Sequence, residues 1–237
     1  MSRMYEQTKT WNLSLGCNYG CIYCVPSFQE TIRNFEKLRG GKCEGCLTYA
    51  PHEHPERLRK IPSKPIVFVN GNGDISFARP EFVRQTILAI KNHLKRCPKK
   101  VFYFQSKNPI CLKQYLGDLE PIRDSVVFLT TLETNRDDGY ERISKAPVPS
   151  TRFRDYLGLP WKRKIPTIEP VMKFDLDLFV TWIKEIGPEA VYLGYNSRPS
   201  RVFLPEPTRT EFRELWQKLS KFTEVRLKET RGATCLP

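Results

Sequence analysis

The feature that most constrains the fold of this chain is its alternation between short apolar runs and helical patterns. The apolar runs are typical of buried strands, and they cover Thr10–Leu15, Pro65–Val69, Val101–Gln105, Val126–Leu132, Ile165–Val171 and Ala190–Tyr195, with a weaker candidate at Glu224–Leu227. Helical patterns cover Pro80–Leu94, Leu176–Ile186 and Thr208–Phe222. Strands that are separated by helices pair in parallel, so the sequence predicts an α/β fold of parallel βαβ units.

Two parallel architectures fit this alternation: an open doubly wound sheet, and a complete or partial β/α barrel. The chain has 237 residues, which at roughly 150 residues per domain predicts one domain over 1–237, or one domain with a small insertion. An eight-fold barrel takes about 250 residues. About six β/α units therefore fit this length better once the loops are counted.

Two segments interrupt the alternation. Residues 36–64 hold two cysteines and two histidines without a long apolar period, and residues 134–164 are basic and rich in proline, with room for a short helix around Thr151–Leu157. Long irregular stretches in a compact domain are usually functional or partly disordered. We predict that 36–64 is a cysteine- and histidine-containing loop inserted after the first β/α unit.

Composition narrows the class of protein. No apolar run approaches the ~18 residues of a spanning helix, and the N-terminus lacks the apolar core of a secretory signal, so we expect a soluble, cytoplasmic protein. Most of the eight cysteines fall in the first 46 residues, which indicates metal binding rather than a secreted disulfide scaffold. The net charge of +13 fits either a polyanionic partner, such as nucleic acid, or a generally basic surface.

The most specific motif is Cys17-Asn-Tyr-Gly-Cys21-Ile-Tyr-Cys24, which directly follows the first predicted strand. Three thiolates at this spacing can ligate three irons of one cube and leave the fourth iron open to a substrate or cofactor. An incomplete zinc site is the alternative, but paired CxxC zinc ligands come in two matched halves, and the Cys17–Cys21 spacing is not such a half. We predict that these three cysteines bind a 4Fe-4S cluster.

With the aromatic Tyr23 before its last cysteine, the motif resembles the radical S-adenosylmethionine (radical SAM) superfamily. The alternating elements look like that superfamily's partial, six-fold (β/α)6 TIM-like barrel, so the resemblance covers most of the chain. It implies an enzyme that takes electrons from an external donor of the flavodoxin or ferredoxin type and cleaves S-adenosylmethionine at the open iron. The resulting 5′-deoxyadenosyl radical would abstract a substrate hydrogen.

Further motifs look like a phage and bacterial branch of the superfamily, with spore photoproduct lyase as a more distant relative. They are His54-Pro-Glu-Arg-Leu58, the turn at 70–74, Thr131-Leu-Glu-Thr-Asn135, and Ile168-Glu-Pro170 followed by Phe174-Asp175. The branch resemblance does not supply a substrate.

The resemblance also implies which residues bind the cofactor. Tyr23 and the turn Gly71-Asn72-Gly73-Asp74 would seat S-adenosylmethionine, with the turn at its amino group, although aspartate replaces the usual glutamate. Lys107 would meet the carboxylate, and Thr131 or Glu133 the ribose hydroxyls, since active sites of parallel β/α barrels lie at the carboxyl ends of strands. An ordinary turn and helix-capping residues are the structural alternatives.

A second set of soft ligands lies in the irregular segment, at Cys43, Cys46, His52 and His54. Tetrahedral zinc accepts two cysteines and two histidines. An auxiliary iron–sulfur cluster that recruits Cys97 or Cys111 is one alternative, and free thiols in a loop are another. Outside such a cluster, we expect Cys97 and Cys111 to be small buried side chains.

The substrate and the outcome of the reaction stay open at this stage. The charge and the basic stretch Trp161–Lys164, with Arg198, Arg201 and Arg209, favour a nucleic acid or nucleotide, and a peptide is the second candidate. Cys235 would return a hydrogen atom to a product radical if the tail folds into the barrel mouth, whereas a frayed end is the alternative. A non-catalytic nucleic-acid-binding protein with zinc in both cysteine clusters is a function of another class.

Overall fold

The computed structural model describes residues 7–234. The strands in this range are β1 (Thr8–Trp11), β2 (Ser14–Leu15), β3 (His52–Glu53), β4 (Ile66–Val69), β5 (Val101–Gln105), β6 (Val126–Thr131), β7 (Lys164–Ile168), β8 (Ala190–Leu193) and β9 (Glu224–Leu227). Within the described range, seven of them form one parallel sheet in the order β1-β4-β5-β6-β7-β8-β9, which curls into a half-barrel. The predicted α/β class and parallel pairing are confirmed, and the weak candidate β9 is an edge strand.

The helices are α1 (Glu30–Leu38), α2 (Glu44–Thr48), α3 (Pro80–Leu94), α4 (Leu116–Leu119), α5 (Pro149–Leu157), α6 (Leu176–Ile186) and α7 (Arg209–Leu219). Helices α3 and α6 have the predicted bounds. Helix α7 begins after Thr208, whose hydroxyl accepts from the Glu211 N–H at 3.2 Å while the Glu211 carboxylate accepts from the Thr208 N–H at 2.6 Å. This reciprocal pair is the capping box that the sequence predicts.

The first strand is shorter than predicted and ends at Trp11. The N–H groups of Leu13 and Ser14 donate to the Asn70 side-chain oxygen at 3.0 and 2.8 Å instead of joining a strand ladder. The chain therefore leaves the large sheet, and β2 pairs with β3 in a small antiparallel sheet. At the other end of the fold, β7 stops at Ile168, shortly before Pro170, which has no N–H to donate to a neighbouring strand.

The two faces of the large sheet have different surroundings. Its outer face packs against helices in the main core, which includes Phe82 and Ile87 of α3, Phe179 of α6 and Leu215 of α7. Its inner face carries a separate apolar cluster, formed by Tyr103, Val127, Leu129, Ile165, Ala190 and Tyr192. The helices thus cover the outer face only, and the inner face is the concave side of the curled sheet.

The two irregular segments contain short regular elements. Residues 36–64 include α2 and β3, and residues 134–164 include α5, which corresponds to the short helix predicted there. The interpretation of 36–64 as an insertion, and of 1–237 as one domain, stays a prediction. Among the helices of the described range, none combines the length and the apolar character needed to cross a bilayer.

Candidate functional site

A cavity lies at the carboxyl ends of the large sheet, where parallel β/α folds place their active sites. It encloses about 1190 Å³ of empty space, part of it open to solvent. Each strand of the sheet contributes one side chain to the wall, and these are Thr10, Phe68, Gln105, Thr131, Thr167, Tyr192 and, directly after β9, Lys228. The strand register puts all of them on the inner face.

The loop after β2 brings the three-cysteine motif to this cavity. All three free thiols line it, those of Cys17, Cys21 and Cys24. The loop starts at Gly16, which has φ +85° and packs against the Ala50 carbonyl so closely that a side chain would clash. After Cys24 the chain passes through a π-helical turn at Val25–Gln29 into α1. The predicted convergence of the motif with the strand ends is therefore present in the structure.

Burial governs the protonation of Cys17 and Cys24 when no cation lies beside them. It raises the pKa of Cys17 and Cys24 above the usual thiol range, and the charge of Asp74 raises that of Cys17 further. Their polar contacts are weak: Cys24 Sγ lies 3.9 Å from the Tyr49 hydroxyl. Thiolates in such surroundings need positive charge, which iron supplies when it ligates them.

The Gly-Asn-Gly-Asp turn after β4 faces the three-cysteine loop, and all of its residues line the cavity. Gly73 forms a parallel bridge with Gly16, and a Cβ on Gly73 would lie 3.0 Å from the Gly16 carbonyl oxygen. One oxygen of Asp74 accepts from the Ser106 hydroxyl at 2.6 Å, and the other from the Lys107 N–H at 2.8 Å. Asp74 therefore fixes the turn to the end of β5, and any ligand ammonium would share the carboxylate with these partners.

Beside the cavity, Lys107 belongs to a buried network of charges centred on Glu133, which is fully buried. The Glu133 carboxylate contacts Lys107 Nζ and the Tyr23 hydroxyl. It also forms an ion pair with Arg152 at 2.8 Å and accepts from the Tyr140 hydroxyl at 3.1 Å. Burial alone would raise the pKa of Glu133, but the charges of Arg152 and Lys107 outweigh burial and hold the pKa well below its usual range.

Not all of the residues predicted to bind the cofactor reach the cavity. Tyr23, Lys107 and Thr131 line the cavity, and the Thr131 hydroxyl accepts from Gln105 Nε2 at 2.9 Å. Glu133 is not among the lining residues, because its carboxylate is surrounded by its protein partners. Of the two candidates for the ribose hydroxyls, the structure brings Thr131 and not Glu133 to the cavity wall.

Arg152, the main counter-ion of Glu133, is a functional candidate that sequence reasoning missed. The side chains of Pro149, Phe153 and Tyr156 mark the buried stripe of α5, and Arg152 falls on the same stripe. A charged residue on the apolar face of a helix indicates a buried partner of opposite charge. The signal was therefore present in the sequence, although the identity of the partner was not.

The second set of predicted ligands is also assembled. Cys43, Cys46, His52 and His54 each place one ligand atom within 4.8 Å of the others. Cys46 Sγ lies 3.2 Å from His52 Nε2 and 3.5 Å from His54 Nε2. Burial raises the pKa of Cys46 to about 12 and lowers the pKa of His54. The four residues form a group that can hold a metal ion.

Cys97 and Cys111 lie apart from this group. Cys97 is exposed, so the prediction that it is buried is wrong, because it lies beyond the end of α3 and not on the buried stripe of that helix. Cys111 is half-buried against the main core. Neither belongs to the Cys/His group, and Cys235 lies outside the described residues.

The basic stretch that begins at Trp161 does not form an exposed surface for bases and phosphates. Trp161 is buried, stacks on Phe128 with 4.7 Å between ring centroids, and donates from Nε1 to the Val126 carbonyl at 3.1 Å. Lys164 is buried as well and donates to the Leu157 carbonyl at 3.1 Å. The prediction is wrong for these two residues because both belong to the interior of the fold.

Comparison with known proteins does not identify a family for this chain. No protein-family model matches the sequence, and no curated protein matches it. The spacing of the three cysteines and the arrangement of side chains around the cavity are therefore the basis of the functional assignment.

Proposed function

We propose that the protein is a radical SAM enzyme with a 4Fe-4S cluster on Cys17, Cys21 and Cys24, built on a partial TIM-like barrel. The observation that carries this proposal is that these three thiols and the Gly-Asn-Gly-Asp turn line one cavity at the carboxyl ends of parallel strands. The curled sheet supports the barrel assignment. Its β9 edge strand is additional to the six units expected from the resemblance.

The residues around the cavity fit a cluster with one open iron. The three thiols are free, and among the described residues no fourth cysteine lines the cavity. When bound, such a cluster would supply the electron that cleaves S-adenosylmethionine to a carbon-centred radical.

The protein's own contribution is to bind and orient the cofactor next to the cluster. The turn would present backbone carbonyls to a ligand ammonium, and Gly73 lets the turn pack closely against the loop at Gly16. Lys107 places a positive charge at the wall, where Glu133 fixes its ammonium and the Tyr23 ring lies 5.3 Å from Nζ. That charge is suited to a carboxylate, while Thr131 and Gln105 offer hydrogen bonds to hydroxyl groups.

For the substrate we propose a nucleic acid or a nucleotide, because the net charge of +13 favours a polyanion. Not every basic side chain is free to contact a polyanion: Arg201, for example, pairs with Glu30 at 2.6 Å. The cavity wall at the β9 edge carries Lys228, which pairs with Glu169, and the Tyr192 ring. An aromatic ring beside paired charges is suited to a base and its polar groups.

Anaerobic reconstitution tests the enzymatic proposal. Protein supplied with iron and sulfide is expected to bind about four of each per chain, and to release 5′-deoxyadenosine when it is reduced in the presence of S-adenosylmethionine. Elemental analysis, visible absorbance and chromatography of the products measure these outcomes. Omission of the reductant is the control, because cleavage needs an electron.

The same experiment decides against the proposal if the chain takes up zinc in both cysteine clusters and shows no iron–sulfur absorbance. That result would favour the non-catalytic nucleic-acid-binding protein. Iron uptake without release of 5′-deoxyadenosine would also contradict the assignment, because S-adenosylmethionine would then not be cleaved.

The salt dependence of binding tests the substrate class. If a single-stranded oligonucleotide binds through about six phosphate contacts, its affinity is expected to fall by about 300-fold between 50 and 200 mM salt, because bound counterions are released on binding. Fluorescence anisotropy of a labelled oligonucleotide measures this slope. A flat response would point to a peptide or an uncharged small molecule, and a neutral peptide serves as the matched probe.

A further inference from the structure

We propose that Cys43, Cys46, His52 and His54 bind one zinc ion in a closed structural site that supports the three-cysteine loop. Zinc in a tetrahedral site separates two histidine nitrogens by about 3.3 Å and two cysteine sulfurs by about 3.8 Å, given its usual bond lengths. In the structure, the two Nε2 atoms are 2.9 Å apart, and all four ligand atoms lie within 4.8 Å of one another. Side-chain movements of up to about 1 Å would complete the tetrahedron.

The orientation of the two imidazole rings is the second observation that indicates a cation. His52 Nδ1 lies 2.8 Å from the Ala50 carbonyl oxygen, and His54 Nδ1 lies 3.0 Å from a Glu56 carboxylate oxygen. Both oxygens accept hydrogen bonds, so each Nδ1 carries the proton and each Nε2 presents a lone pair. The two lone pairs face each other, which is unfavourable unless a positive charge lies between them.

These outer hydrogen bonds are also the usual surroundings of a metal-bound histidine. Ligating histidines donate their other ring N–H to a backbone carbonyl or a carboxylate, which fixes the tautomer and the orientation of the ring. His52 uses the carbonyl and His54 the carboxylate. The group therefore has both its ligands and their supporting contacts in place.

The ligand set selects zinc among the common metals. Calcium and magnesium prefer oxygen ligands, whereas two sulfurs and two nitrogens around one point favour zinc. A two-iron cluster with two histidines and two cysteines would bind the histidines to one iron and the cysteines to the other. Here Cys46 Sγ is as close to the histidine nitrogens as ligands of one ion are. Four protein ligands leave no open position, which is typical of structural zinc.

The position of the group explains what the ion would stabilise. Strand β3 carries His52 and pairs it with Leu15 of β2, and Cys17 follows β2 by two residues in the chain. Leu15 and Cys46 share one apolar cluster, against which Cys17 packs. An ion that holds Cys46 and His52 together would therefore hold the start of the three-cysteine loop as well.

The test uses the full chain with Cys17, Cys21 and Cys24 all replaced by alanine, which removes the iron site and keeps the two proposals separate. After loading with Zn²⁺ and dialysis, this chain is expected to retain about one zinc per chain by elemental analysis. Addition of Cys43→Ala and His54→Ala is expected to reduce the retained zinc at least ten-fold. Chelation is expected to lower the melting temperature of the three-alanine chain by about 5–10 °C. It is expected to leave the melting temperature unchanged when Cys43→Ala and His54→Ala are also present.

A variant that keeps four ligands distinguishes loss of the metal site from loss of folding. Cys43→His in the same background is expected to bind one Co²⁺ ion, with about half the thiolate-to-cobalt absorbance per ion, because one thiolate remains instead of two. Cys97→Ser, at an exposed cysteine outside the group, is the control and is expected to keep both the zinc and the full absorbance.

Three results would overturn the zinc site. These are a three-alanine chain that retains no zinc, zinc that persists when Cys43 and His54 are both replaced, and a cobalt spectrum that Cys43→His does not alter. None of these readouts depends on iron or on cleavage of S-adenosylmethionine, so the zinc site and the enzymatic proposal can fail separately.

Discussion

Replacement of any one of Cys17, Cys21 and Cys24 with alanine is expected to reduce the cleavage of S-adenosylmethionine to background. The proposed cube needs three protein thiolates, so that only one iron remains open. With two thiolates, a second iron loses its protein ligand, and the cluster is lost or held in the wrong orientation. Production of 5′-deoxyadenosine by the anaerobically reconstituted variants measures the effect, together with their iron and sulfide content.

The control for these variants is Cys97→Ser, because Cys97 is an exposed cysteine outside both groups. It is expected to keep the wild-type iron content and turnover. Circular dichroism and the zinc content of the Cys/His group show whether each alanine variant has kept its fold. Turnover at the wild-type rate in any of the three alanine variants would show that the assigned ligands are wrong.

Arg152→Met is expected to lower the free energy of unfolding by about 3–5 kcal/mol, because removal of one partner leaves charge on the fully buried Glu133 insufficiently compensated. The Arg152 guanidinium is itself fully buried and lies 2.8 Å from that carboxylate. Methionine fills a similar volume without the charge, so the change isolates the electrostatic effect. Urea unfolding followed by circular dichroism measures the loss of stability.

Two variants make this result specific. Arg142→Met removes an exposed arginine and is expected to change the stability by no more than about 0.5 kcal/mol. Glu133→Gln removes the carboxylate from both Arg152 and Lys107 and is expected to cost more stability than Arg152→Met, and the double-mutant cycle of the two substitutions measures the coupling between Arg152 and Glu133. A loss below about 1 kcal/mol for Arg152→Met would show that the buried pair is not a major contribution to stability.

The pH dependence of stability follows from the same pair. Because the pKa of Glu133 is lower in the folded protein than in the unfolded chain, its contribution is fully present above the unfolded pKa of about 4.3. It is lost as the pH falls from there towards the folded-state pKa. In Arg152→Met the folded-state pKa is expected to rise, so acid unfolding should occur at a higher pH than in the wild type.

The elements that were predicted well have continuous local patterns. Helices α3 and α6 and strand β5 have the predicted bounds because their apolar positions follow one period without interruption. Strand β1 was predicted too long, because the Asn70 side chain, which is distant in the sequence, captures two backbone N–H groups. Helix α1 was not predicted, since its Phe35 and Leu38 are exposed and obscure the buried stripe.

The candidate site shows the same division between local and distant contacts. The cysteine motif and the Cys/His group consist of residues that are close in sequence, so their spacing alone predicted them. The ion pair between Glu133 and Arg152 and the burial of Trp161 depend on how separate elements pack. Sequence patterns identify the residue types at such positions but not the partners that meet them.

The cavity wall has two halves because each strand of the described sheet supplies its own side chain. The cysteine loop and the glycine turn adjoin Thr10 and Phe68 at the first two strands, whereas Thr167, Tyr192 and Lys228 come from the last three strands of the described sheet. Substitution of Thr167, Tyr192 and Lys228 would reshape their half of the cavity wall without altering the three-cysteine motif in the other half. Under the proposed function, a few substitutions at these positions would change the substrate while the cluster site stays the same.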